Sequence, residues 1–295
     1  MKHTGRLLLV LAASAVVIVG RVSSPREAGS ETPSRVESLT TGLPPVVRMV
    51  GAEFLWLRAI AHLDAGRFEA LLGDVDLLLG MTGYEEFTLS FWASELATTV
   101  ARHSGDPAIE KEWFEEAVLR LETGLRRHPA SSILHARLGE IHLDLLTRDP
   151  RLSSDFLASY GRSPAQAALE HFGKALARDG HADRWIPEMV VCRFLIADEL
   201  LLEGDPSGAR EAMRGVLQDL ESSSHHLRED PVGHRFLDRA SLWLEVLDGA
   251  VLLDGAANAS RAEAKRRVLE LLDRLIERYP EDVSAVDYAR RLRDS

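Results

Sequence analysis

Cysteine occurs once in the 295 residues, at Cys192. A disulfide within the chain is therefore excluded, and so is a zinc site built on several thiolates. Lysine is nearly as scarce, found only at 2, 111, 174 and 265, so arginine supplies most of the positive charge. Positive charge itself falls short: 35 Lys and Arg stand against 46 Asp and Glu, for a net charge of -11. That balance speaks against a nucleic-acid-binding body, which needs a basic patch. Aromatic residues make up only 6%. The tryptophans at 56, 92, 113, 185 and 243 are spread along the chain, which favours core packing over a grouped surface for stacking on sugars or bases.

Catalytic signatures are missing too. No GxSxG, HExxH, CxxC, CxxCH or glycine-rich phosphate loop is present. Cys192 has apolar neighbours Val190, Val191, Phe194 and Leu195, the surroundings of a small buried hydrophobe rather than of a nucleophile. His225 and His226 lie near Arg228, Glu229, Asp230 and His234. Adjacent histidines seldom bind one ion together, so this stretch reads as a polar inter-helix loop and no metal is expected. The acids Glu110, Glu112, Glu115 and Glu116 read as a solvated helix face. No enzyme activity, cofactor or small-molecule substrate is expected; a helical hydrolase or lyase would need a pocket with convergent ionisable groups.

What remains is 45% apolar and 27% charged, a globular composition that excludes a wholly disordered or low-complexity chain. Its longest apolar run is Leu7 to Val19, LLLVLAASAVVIV, preceded by Lys2 and Arg6. This is the pattern of a secretory leader, and the run is shorter than the roughly 20 residues of a full span. No small-x-small pair follows cleanly, since Val22-Ser23-Ser24 runs straight into Pro25. Two fates stay open: an uncleaved anchor over residues 7–22, with Arg21 reaching the surface, or a cleaved signal releasing the body. Without a nearby cysteine a lipoprotein is excluded. The expected division is therefore 1–20 as signal or anchor, 21–45 as a Ser/Thr/Pro/Gly-rich tether, and 46–295 as the folded body. Positive charge kept inside places that body on the extracytoplasmic, periplasmic side of an inner membrane, or free in the periplasm after cleavage. The leader carries +3, so the rest of the chain carries -14 of the net -11.

From Val46 onward apolar residues recur at helical spacing and no period-two strand pattern appears, predicting an all-α body of about eleven helices. Gly66, Gly83, Pro129, Gly180, Gly255 and Pro280 punctuate it, together with Asp149-Pro150 and Asp230-Pro231. Asp106-Pro107, Ser163-Pro164 and Asp205-Pro206 are start signals, because the side chain accepts from an orphan amide and proline has none to lose. A small–large–small spacing recurs in second helices: Ala168, Phe172, Ala175; Ala117, Leu121, Gly124 with Pro129; Ala209, Met213, Val216; Val268, Leu272, Leu275 with Pro280; and Leu71, Val75, Leu78. First helices carry Leu138-Gly139 with His142, and Ile196-Ala197 with Leu200. Small residues let two helices approach while the large one fills the groove. His62 and His142 take the large position of a first helix, where packing accounts for them.

On these residues the body resembles the tetratricopeptide repeat over 46–280. The copies are spaced by about 41 to 59 residues against the 34 of that family, so insertions are expected, for example between Arg151 and Arg162. Phe54-Leu-Trp-Leu-Arg58-Ala-Ile60 resembles the opening helix of membrane-tethered bacterial proteins of the same class. The stretch Asp282–Ser295 is expected to form a terminal capping helix. The resemblance implies an α-solenoid of stacked helix pairs: a non-enzymatic interaction scaffold of the bacterial cell envelope, with a protein partner in its concave groove. By the same likeness Glu140, Asp144 and Asp198 would line that groove and favour basic partners. The alternative is an accessory structural subunit of a membrane-bound enzyme or secretion complex, which an exposed apolar patch would favour.

Overall fold

The computed structural model describes residues 42–148, 150–179, 182–223 and 229–294. The leader and nearly all of the tether, and with them the anchor or signal over 7–22 and the periplasmic address it implies, lie outside these residues, as do His225 and His226. Among the described residues there is no strand, and twelve α-helices follow one another. They are α1 (Pro45–Asp64), α2 (Phe68–Thr82), α3 (Glu86–Glu95), α4 (Pro107–Arg127), α5 (Ser132–Arg148) and α6 (Pro150–Tyr160). Then come α7 (Pro164–Leu176), α8 (Ile186–Glu203), α9 (Pro206–Ser222), α10 (Pro231–Gly255), α11 (Asn258–Arg278) and α12 (Val283–Asp294). The all-α expectation holds. A π-helical turn at Leu96–Val100 carries α3 on into a last helical turn at Ala101–Ser104. The stretch between Arg151 and Arg162 is mostly helical, within α6.

The described residues fall into two compact units, one ending at Arg137 and the other beginning at Leu138, with the boundary inside α5. In the first unit α1 and α2 form a hairpin. Arg58 on α1 reaches Asp74 on α2, Nε to Oδ2 at 2.7 Å; each residue lies six from the connecting turn, as antiparallel packing requires. The buried stripe of α1, Gly51, Leu55 and Ala59, faces that partner. Leu71, Val75 and Leu78 are buried, and so are Ala117, Leu121 and Gly124 on α4. Gly124 is small for a reason: a Cβ there would overlap Leu89, with Leu134 also close at 3.1 Å.

In the second unit the main contacts run between helices adjacent in sequence, from α7 to α12. One continuous core joins α8 to α12: Val190, Phe194 and Ala197 of α8, Met213 and Val216 of α9, Trp243 of α10, Leu272 of α11 and Ala285 of α12 are all part of it. The triads Ala168/Phe172/Ala175, Ala209/Met213/Val216 and Val268/Leu272/Leu275 are each fully buried. Phe172 packs on Gly139, where a Cβ would lie 2.9 Å from the ring.

The start signals work as their chemistry requires. Asp106 accepts from the Ala108 amide at 2.9 Å, Asp205 from Gly208 at 2.9 Å and Asp230 from Val232 at 2.7 Å. Ser163 forms a reciprocal capping box with Gln166, accepting at 3.3 Å from the Gln166 amide and donating its own at 3.0 Å. Glu85, an unusual choice, caps α3 by accepting from the amides of Phe87 at 3.1 Å and Thr88 at 2.7 Å. Burial of Glu85 opposes its ionisation, but the Thr88 and Phe87 bonds prevail and hold its pKa below the ordinary value.

Candidate interaction site

Glu140 and Asp144 sit on α5 and Asp198 on α8, all half-buried. Glu140 lies near Glu188 of α8. Burial first, and then the Glu140 charge, push Glu188 above the ordinary carboxylate range against the pull of Arg184. Asp198 faces a different group. Ser284, at the start of α12, donates to it, and Asp282, Arg239 and Glu199 lie around it. Desolvation pushes its pKa up to about 6; the Asp282 and Glu199 charges add to that, while the Ser284 bond and Arg239 oppose it. Behind it Asp282 is almost fully buried, accepting from Arg239 Nε at 2.8 Å, Trp243 Nε1 at 2.9 Å and the Ala285 amide at 3.0 Å. Asp282 thereby caps α12 and ties it to α10. Asp198 thus belongs to a carboxylate group at the α12 end, and Glu140 to another beside Glu188. Neither Asp282 nor Glu188 stands out in the sequence, because their partners are distant along the chain.

The remaining chemistry-bearing residues are closed in. Cys192 is buried, and desolvation with the Glu188 charge pushes its thiol up to about 12. His142 is buried against Phe156, ring centres 5.1 Å apart, and His171, 5.5 Å apart. Desolvation, with the His171 and Arg162 charges, lowers its pKa to about 3, against a smaller opposing pull from Glu170. Among the described residues no group of three His, Cys, Asp or Glu side chains is placed to hold a metal ion. An open depression of about 530 Å³ between α10 and α11 is lined almost wholly by charge, including Glu245, Arg267, Asp273 and Arg274. Part of that charge is paired, Glu245 with Arg274 at 2.8 Å and Asp273 with Arg293 of α12.

The tryptophans are less scattered than their sequence positions suggest. Trp56 of α1 and Trp92 of α3 meet at 5.4 Å, with Phe91 5.1 Å from each. The sequence hides this because residues far apart in the chain share one inter-helix contact. Trp92 and Trp243 have no exposed surface, so core packing does explain these two.

One surface stands apart. On α1, Val46, Met49, Val50, Phe54 and Leu57 are 45–66% exposed and fall on one helical face. Exposed Glu53 lies in the middle of that face. α1 is apolar on two sides: one covers α2, and the other faces outward. Apolar residues exposed together along one helix face, rather than singly, mark a candidate contact surface. Hydrophobic spacing alone could not separate the sides, since both obey the same period. Among the described residues no helix is long and apolar enough to cross a membrane.

The fold and these surfaces define a class: an all-α protein whose first described helix turns an apolar face outward. Within that class, no protein-family model matches the chain and no curated protein matches it.

Proposed function

We propose that the chain is a non-enzymatic interaction protein of the bacterial cell envelope. Its helix pairs stack as a tetratricopeptide-like solenoid, its leader holds it at the inner membrane, and its body carries a protein partner on the periplasmic side. The observation that carries this reading is the outward apolar face of α1. A terminal repeat that ends the stack in water presents a polar outer face; α1 presents Val46, Met49, Val50, Phe54 and Leu57. The same observation favours the accessory-subunit version, in which the partner is fixed, over transient capture of a basic peptide by Glu140, Asp144 and Asp198. Supporting it further, the repeat triads are buried and the helices of the second unit pack in chain order.

The test is cross-link-assisted purification of the full chain from the membranes of cells that express it naturally. A small set of stoichiometric partner chains is expected with the wild type and with Glu140→Lys, Asp144→Lys and Asp198→Lys combined, but not with Leu57→Asp. Loss with the triple variant and retention with Leu57→Asp would move the site to the groove. Absence of any partner chain overturns the reading. N-terminal sequencing of the mature protein separates the anchor from the cleaved signal.

A further inference from the structure

Resting on that reading, we infer that the occupant of the α1 face is an amphipathic helix of a partner protein whose apolar side carries one Lys or Arg, placed against Glu53. The face runs from Val46 to Leu57, about 17 Å at 1.5 Å per residue, a length suited to a helix laid along it. Its anchors recur at helical spacing, the geometry by which one helix reads another through positions i, i+3, i+4 and i+7.

Three kinds of surface could cover such a face, and Glu53 discriminates among them. A lipid surface would take an exposed carboxylate into the headgroup boundary in the middle of the apolar stripe, which costs free energy. The chain beyond its leader also carries -14, which repels anionic headgroups. A second copy of this chain, paired two-fold along α1, would cross near the middle of the stripe and bring two Glu53 carboxylates together. Like charges set against each other in an interface are unfavourable. A foreign helix suffers neither penalty. A cation among its apolar residues would neutralise Glu53 as water leaves, and the acidic body would draw that cation in. The carboxylate then sets the register of the partner helix, because only one position along the stripe satisfies it.

The experiment uses the full chain in nanodiscs of zwitterionic phosphatidylcholine and two labelled synthetic helices of roughly 18 residues, five turns. They share a Leu/Ala apolar face and differ only at its central position, Arg in one and Glu in the other. Fluorescence anisotropy is expected to show the Arg peptide binding about tenfold tighter than its twin, with the preference reversed on Glu53→Arg. Leu57→Asp is expected to weaken both without changing the melting temperature, since Leu57 is 66% exposed. Equal affinity of the twins, or binding of neither, overturns the inference. So does self-association of the chain that Leu57→Asp disperses. The two readings fail separately. A native partner captured while the twins remain indistinguishable sinks only the Glu53 register; twins that differ as expected with no native partner sink only the functional reading.

Discussion

His142 and Asp198 are both held where their charged forms are disfavoured, and they bend stability against pH in opposite directions. His142 titrates near 3 in the fold against 6.5 when free. Between those values the unfolded chain binds the proton more tightly, so His142 costs stability as pH falls from about 6.5 toward 3. Asp198 titrates near 6 in the fold against 3.8 when free. There the native state holds the proton more tightly, so stability falls as pH rises through that window. His142→Leu, similar in volume, is expected to flatten the acid limb, and Asp198→Asn the opposite slope between about 4 and 6. Urea midpoints measured across pH 4 to 8 check both, and a slope unchanged in either variant contradicts the assignment. At the close approaches, Gly124→Ala and Gly139→Ala are expected to destabilise by about 1–3 kcal/mol through overpacking, read from the same unfolding curves. Gly139 was legible as a small residue facing a large one, but its partner Phe172 could be named only once the helices were set side by side.

Helix starts were the most legible elements, because a cap is a local device. Asp106, Ser163 and Asp205 each accept the amide that their position before a proline leaves open. Asp205→Ala is expected to cost about 1 kcal/mol, seen as a lower urea midpoint, with Asp205→Ser recovering most of it. The small–large–small triads were legible for a related reason, since periodicity fixes which face turns inward. The start of α3 was less so: Glu85 caps from a residue type that seldom does, and nothing in LATTV marks a π-turn. The outer face of α1 was hidden by an excess of signal, two apolar sides where one is usual. Asp282 was hidden by distance, since Arg239 and Trp243 lie more than thirty residues upstream of it. Asp282→Ala would leave the Trp243 N–H and the Arg239 guanidinium without their acceptor, at an expected cost of about 3 kcal/mol.

At the scale of the whole molecule, packing by sequence order makes damage local. Each helix of the second unit leans chiefly on its chain neighbours, so the loss of one contact is not shared evenly. Asp282→Ala should therefore speed amide exchange in α12 and in the turns of α10 around Arg239 and Trp243 while leaving α7 at wild-type protection. Mass-spectrometric hydrogen exchange resolves this, and uniform loss of protection across the second unit would contradict it. Fold class and punctuation were readable because each rests on neighbours within a turn or two. The outward apolar face of α1 was not, since exposure is a property of what fails to pack, and no single helix records its neighbours' absence.

The isolation of Cys192 has a practical side. A thiol buried in the core and held near pKa 12 stays protonated and unreactive at neutral pH. With no second cysteine in the chain, the wild-type sequence is already a silent background for site-specific labelling. A cysteine introduced at Leu57 or Val46 could take a fluorophore or spin label alone. The environment of the α1 face could then be followed in membranes without first re-engineering the core.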